Sequence, residues 1–300
     1  MLTNFKELEN YVLSQNMKKR IALANAHDEP ALSAVVNARR KGVIEGTLVG
    51  KKDEIIAMLH EMGESENDYE IVDFDGEELE AAKIAVQLVR EGKADIPMKG
   101  ILQTSNFARA ILNKETGLIP TGGRRLVSQC GIFEYEGRFV MITDAAINIA
   151  PDVETQIGIV ENALPVARAL GIDCPKVAVL SAVENVTDKM PSTVSAKEIA
   201  ERGVEGCVIS GPLALDGAIS MESVKHKAIH DPVAGQADIL LVPFIEIGNV
   251  LYKACTYIAG KTMASTICGA SCPVVITSRA DTPDSKYYSI LMAVLRCLKA

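Results

Sequence analysis

Hydrophobic and polar positions alternate along the first third of the chain in two different periods. Short apolar runs at RIALANA (20–26), GTLVG (46–50), YEIVDF (69–74) and 95–100 read as strands. Between them, 29–41, 53–62, 77–91 and 105–113 carry apolar residues at helical spacing. In 77–91 the residues Leu79, Ala82, Ala85, Val86 and Val89 fall on one stripe. Repeated strand–helix alternation predicts an α/β fold with a largely parallel sheet covered by helices.

The character changes at TGLIPTGGRRL (116–126). Its glycines, proline and adjacent arginines read as a domain junction. GIFEYEGRFVMITDAAI (131–147) then reads as a hairpin turning at Glu136-Gly137, so a second domain of different topology is expected. Beyond it come a helix over 154–170 ended by Gly171, a strand at KVAVLSA (176–182) and a helix over 195–202 ended by Gly203. CVISGPLALDGAIS (207–220) reads as loop. ADILLVPF (237–244) reads as strand, 248–259 as helix, PVVITS (273–278) as strand and 284–299 as helix. No repeat or low-complexity tract interrupts this order.

Composition narrows the function classes. A net charge of -8 and only 4% aromatic residues, with no Trp, argue against a general nucleic-acid or anionic-membrane surface. An anionic ligand would need a local cluster of Arg, Lys and backbone N–H groups. The seven cysteines form no C-x-x-C, and Cys268/Cys272 lack the partners of a zinc site, so buried thiols in a reducing compartment are expected. The polar N-terminus lacks the apolar core of a signal peptide, and no apolar run reaches the length of a membrane span. Both point to the cytoplasm.

Candidate chemistry concentrates where apolar strands end in polar clusters, at LLVPFIEIGN (240–249) and VVITSRAD (274–281). In open α/β sheets, ligands bind beyond the carboxyl ends of strands. Ser278-Arg279 also directly precedes a helix that starts near Pro283, and helix N-termini attract anions. There is no G-x-G-x-x-G, Walker loop, G-x-S-x-G or H-E-x-x-H. His226 and His230 are spaced to share a helical face. The flanking Lys225 and Lys227 make a solvated basic face the better reading, with a coenzyme A phosphate contact as the alternative.

Four segments together resemble the phosphate acetyl/butyryl-transferase family: TDAAINIAPD (143–152), SGPLALDGAIS (210–220), VAGQADILLVPFIEIGNVLYK (233–253) and PVVITSRAD (273–281). The likeness extends over nearly the whole chain. The S-R-A-D and GPLALD forms look more like the butyryl branch. The resemblance implies two α/β domains with a cleft between them, isocitrate/isopropylmalate dehydrogenase-like. The first domain is expected over 1–124 plus 269–300 and the second over 125–268. It further implies acyl-CoA + phosphate ⇌ acyl phosphate + CoA through a ternary complex. No bound cofactor or metal is expected, coenzyme A being a substrate, and homo-oligomers are usual.

Carried over residue by residue, Ser278 would lie next to the CoA sulfur; its alternative role is to cap the following turn. Arg279 would bind phosphate and stabilise charge on the carbonyl oxygen. Free thiols titrate near ~8.5, so a carboxylate base would help remove the thiol proton. Acetyl-transferring relatives carry their base seven residues after the Ser, but that position here is Ser285. Asp281 and Asp284 both remain candidates. Arg109, with Thr104, falls near the family's phosphate-binding Arg, one residue out of step. Asn249, Tyr252 and Lys253 would shape the cleft, with core packing the alternative for Tyr252. Asp144 and Asn148 would line it, and Asp216 would orient a loop. Ser210 departs from the Asp that relatives often have.

Three rival readings stand beside this one. Acetyl rather than butyryl transfer turns on pocket volume, since one methylene changes discrimination by about 1–3 kcal/mol. A metal- and NAD-dependent β-decarboxylating dehydrogenase shares the expected fold but needs a carboxylate cluster that this sequence does not display. A non-catalytic sensor of CoA esters would not require Ser278, Arg279 or a base.

Overall fold

The computed structural model describes residues 1–120, 122, 124–277 and 281–299. The chain divides into two compact units. One is split in sequence, Phe5–Arg125 with Ala264–Ala300. The other is inserted, Leu126–Met263, with Met1–Asn4 added.

In the split unit, α1 (Phe5–Ser14) leads into β1 (Lys19–Ala24), α2 (Glu29–Arg40), β2 (Ile44–Gly50), α3 (Lys52–Glu61), β3 (Glu70–Asp73), α4 (Glu78–Arg90), β4 (Ile96–Lys99) and α5 (Thr104–Ile111). The four strands are parallel in the order β3-β2-β1-β4, as the alternating pattern requires. Ala24 lies opposite both Val49 and Lys99, so the carboxyl ends of β1, β2 and β4 are level. Strand β1 is buried from Ile21 to Ala24 without alternation, the signature of a strand covered on both faces.

The C-terminal stretch returns to this unit as β10 (Ala264–Cys268) and α11 (Pro283–Lys299). Of the expected strand over 273–278, the described residues 273–277 make isolated bridges rather than a ladder. Val275 N–H donates to Pro97 O at 3.0 Å, Lys99 N–H donates to Val275 O at 3.0 Å, and Ile267 N–H donates to Val274 O at 3.0 Å. Strand β10 itself was not expected from the sequence. Helix α11 packs on β10 and α2, with α1 against it.

The inserted unit holds β5 (Ser128–Tyr135), β6 (Arg138–Thr143), α6 (Val153–Ala169), β7 (Lys176–Leu180), α7 (Pro191–Arg202), β8 (Val208–Leu213), α8 (Leu215–Ile219), α9 (Met221–Lys227), β9 (Ile239–Leu241) and α10 (Ile245–Lys253). Its strands run in the order β5-β6-β9-β7-β8. Strands β5 and β6 are antiparallel and the remaining pairs parallel, a mixed sheet. The hairpin turns at Glu136 and Gly137, with φ of 47° and 76°, the left-handed pair that matches strand twist. The core gathers Val140, Ile142, Ala178, Leu180, Leu240 and Val242 from the central strands.

Three sequence expectations are corrected here. The stretch 207–220 is not loop but β8 followed by α8. His226 and His230 do not share a helical face: α9 ends at Lys227, Ala228 is left-handed at φ 51°, and both imidazoles are exposed. The expected helix over 248–259 starts earlier, at Ile245, and its last turn is π-helical over Ala254–Ile258. Among the described residues, no helix is long and apolar enough to cross a membrane.

Candidate active site

The carboxyl end of β6 carries the first group of candidate residues. Asp144 follows β6 directly and is 2% exposed. One oxygen of its carboxylate accepts from Gln129 N–H at 3.1 Å, Ala146 N–H at 3.0 Å and Ile147 N–H at 3.1 Å. The other accepts from Asn148 N–H at 3.1 Å and Asn148 Nδ2 at 2.6 Å. Burial pushes the carboxyl above its ordinary value, and these donors pull against that rise. Asn148 Nδ2 also donates to Val127 O at 2.9 Å, and Asn249 Nδ2 donates to Ala145 O at 3.3 Å. Asp144, Asn148 and Asn249 therefore come together around one loop, 144–149, and spend much of their polar capacity holding it.

Helix α10 approaches that loop closely because position 248 has no side chain. A Cβ on Gly248 would lie 2.5 Å from Asp144 O and 2.9 Å from Ala145 Cα. Tyr252 is half-buried, and its ring covers Gly131, where a Cβ would fall 2.7 Å from it. The ring therefore packs on the core of this unit. Lys253, the next residue, is exposed. The side of α10 bearing Ile247, Val250 and Leu251 borders a different feature, an apolar hollow of about 500 Å³ shared with Leu180, Leu215 and Pro243. Further along the unit, Ser210 donates to the Asp231 carboxylate, and Asp216 accepts from Lys227 Nζ at 2.9 Å, tying α8 to α9.

In the split unit, Ser278 and Arg279 lie outside the described residues. Their flanks are described. Thr277 is buried, and Asp281 is half-buried, its main-chain oxygen accepting from Lys286 Nζ at 2.6 Å. Asp284 is exposed in the first turn of α11, where a negative charge suits the helix N-terminus. Thr282 Oγ1 accepts from Ser285 N–H at 3.1 Å and begins that helix. Thr104 and Arg109 stand at opposite ends of α5, Thr104 half-buried and Arg109 exposed. The N-terminus of α5 is fixed by Glu78, which accepts from Gln103 N–H at 2.8 Å and Asn106 Nδ2 at 3.0 Å.

Sequence reasoning missed two buried lysines, one at the end of β4 and one in the first turn of α11. Lys99 closes β4, is 6% exposed, and donates to Gly100 O at 3.2 Å and Leu102 O at 3.1 Å. Lys286 is 2% exposed on α11. Its signal was present in the sequence, a lysine on the same helical stripe as Ile290, Ala293 and Val294. Among the described residues, no three His, Cys, Asp or Glu side chains gather as a metal site.

These features define an α/β protein with polar candidates gathered at the carboxyl end of β6 in the inserted unit and, among the described residues of the split unit, on α5 and at the start of α11. A family model described as Phosphate acetyl/butaryl transferase matches residues 77–294, and the chain belongs to that family of transferases. It is 45% identical to the phosphate butyryltransferase of Clostridium acetobutylicum, over 98% of each chain. It is 37% identical to the phosphate acetyltransferase of Thermotoga maritima, over 94% of this chain and 97% of the other. A branched-chain phosphotransacylase structure from Enterococcus faecalis superposes with a TM-score of 0.83 at 36% identity, covering 93% of this chain and 99% of that one. A 4-hydroxythreonine-4-phosphate dehydrogenase from Klebsiella pneumoniae, at 10% identity and a TM-score of 0.56, shares the fold alone.

Proposed function

We propose that this chain exchanges a short-chain acyl group between coenzyme A and inorganic phosphate, with butyryl-CoA as the preferred thioester. The observation that carries the reading is the likeness over 98% of both chains to a phosphate butyryltransferase. A second phosphate butyryltransferase, from Clostridium beijerinckii, is 43% identical over the same share. Acetyl transfer is the second reading, favoured by the Thermotoga relative. The dehydrogenase reading falls away, because its support is a likeness of fold at 10% identity.

In the proposed reaction, a phosphate oxygen attacks the thioester carbonyl and a tetrahedral oxyanion forms. The carbon–sulfur bond then breaks, releasing CoA thiolate and acyl phosphate. Arg279 binds the phosphate and stabilises the oxyanion, as a fixed guanidinium can. Ser278 orients the sulfur. In the reverse direction a carboxylate removes the thiol proton. Asp281 is the better candidate for that base, because it is half-buried and directly follows Ser278-Arg279-Ala280 in the chain. Asp284, exposed at the start of α11, is the alternative. Asp144, Asn148 and Asn249 act by holding the loop after β6. A cytoplasmic homo-oligomer without a bound cofactor is the setting this reading expects.

The test is CoA thiol release from butyryl-CoA and from acetyl-CoA, each with and without inorganic phosphate. Phosphate-dependent release that is faster with butyryl-CoA is expected. Faster release from acetyl-CoA would replace the substrate, and no phosphate-dependent release from either would overturn the reaction.

A further inference from the structure

Lys286 occupies a position where α11 calls for an apolar side chain. It lies in the first turn, on the buried side of the helix, and is 2% exposed. Removing an ammonium from water costs several kcal/mol unless it is hydrogen-bonded and faced by opposite charge. A methionine would fill the same space without that cost, so the charge calls for a role.

The geometry shows what the ammonium is directed at. Lys286 Nζ donates to the main-chain oxygen of Asp281 at 2.6 Å. The carboxylates of Asp281 and Asp28 supply the opposing charge. Asp28 stands at the start of α2, just beyond the carboxyl end of β1, and its side chain does not cap its own helix. The ammonium therefore sits where the carboxyl end of β1, the start of α2 and the start of α11 meet. On the other side of the S-R-A-D segment, Val275 is bonded into the strand region beside β4 and Thr277 is buried. Sheet bonds fix the chain at Val275, and Lys286 fixes it again at Asp281.

We propose that Lys286 is a positioning residue for acyl transfer: it fixes the main chain at Asp281, where the segment carrying Ser278 and Arg279 enters α11, and it keeps a positive charge beside the Asp281 carboxylate. The proposal rests on the transferase reading above. A misplacement of reacting groups by about 1 Å costs on the order of 100-fold in rate, so the effect belongs in kcat rather than in substrate affinity.

The experiment compares the wild-type chain with Lys286→Met, Lys286→Arg and Lys286→Gln. Thermal melts are recorded alongside initial rates with acyl-CoA and phosphate varied in turn. Lys286→Met is expected to melt at or above the wild-type temperature. Its kcat should fall about 10- to 100-fold while KM for acyl-CoA changes less than about threefold. Lys286→Arg, which retains charge and donors, should recover part of the lost kcat. A lysine that only packs the core gives the opposite pattern, an altered melt with wild-type kcat per folded molecule, and that result overturns the proposal. Should Lys286→Met lack a cooperative melt, Lys286→Gln is judged by the same criterion. Wild-type release with unaffected variants overturns the Lys286 role alone, whereas a wild-type chain without phosphate-dependent release overturns the transferase reading and this role together.

Discussion

Replacing Asp144 with Asn is the most informative single change in the inserted unit. The side chain keeps its shape, but one carboxylate oxygen becomes an NH₂ group that donates. If that group faces Asn148, it meets two donors, the main-chain N–H and Nδ2. If it turns the other way, it meets three, from Gln129, Ala146 and Ile147. At least two hydrogen bonds to a charged acceptor are lost, each contributing about 1.5–3 kcal/mol, so Asp144→Asn should cost about 3–6 kcal/mol. Global stabilities are usually about 5–15 kcal/mol, so the variant should still fold while becoming marginal. The chain has no Trp, which makes far-UV circular dichroism in a urea titration the suitable assay. With two compact units the transition need not be two-state, so the midpoint and slope of each phase should be compared separately. Asn148→Ala removes a donor from the same cluster, and its effect should be less than additive with Asp144→Asn. A cost below about 1 kcal/mol for Asp144→Asn would refute the reasoning, because it would mean those donors are satisfied without the carboxylate.

Other changes probe different parts of the molecule. Burial alone would raise the Glu9 carboxyl, but bonds from Lys41, Lys6 and Tyr287 overcome this and hold it at about 2. Its contribution is therefore fully present above the unfolded value near ~4.3 and lost as pH falls through the folded value, so Glu9→Gln should cost up to about 3 kcal/mol at pH 7. That gap should close between pH 5 and pH 2, about the interval between the two values; a gap independent of pH would contradict the assignment. Gly248→Ala forces a methyl against the Asp144 and Ala145 backbone, at a cost of about 1–3 kcal/mol, visible as a lower melting temperature. Asp281→Asn should flatten the pH dependence of kcat for acyl-CoA formation, with Asp284→Asn leaving it intact; the reverse result would assign the base to Asp284. EDTA should leave the rate unchanged, and a loss restored by a divalent cation would refute metal-free transfer.

The elements read most easily from the sequence were those with a clean period and punctuated ends. The β5–β6 hairpin was marked by Glu136-Gly137, and α6 by its apolar stripe and by Gly171 at φ 86°. Strand β10 escaped because all five of its residues are buried, so ASTIC shows no alternation, and its small polar side chains resemble a loop. Strand β8 escaped because Gly211-Pro212 reads as a turn; the strand lies at the edge of its sheet, where proline is tolerated. Among the site residues, S-R-A-D was visible as a strand end rich in polar groups. The engagement of Asp144 was not, since four of its donors are main-chain groups that any sequence would supply. Lys286 shares a helical stripe with Ile290, Ala293 and Val294, but a lysine in a first turn also suits a solvated position. Its burial in the structure decides between the two.

The split unit is closed by contacts between segments far apart in sequence, α1 and α2 on one side and α11 on the other. Tyr287 donates to the Glu9 carboxylate across 278 residues, and α11 packs against α1 and α2. During synthesis, then, residues 5–125 emerge with their sheet formed by local crossovers but without α11, leaving the apolar surface of α2 uncovered. The inserted unit is nearly continuous in sequence and can fold meanwhile, shortening the loop that must close and easing its entropic cost. Full protection of the split unit waits until α11 has left the ribosome. A nascent chain stalled before α11 should bind a chaperone through the surface that α11 later covers.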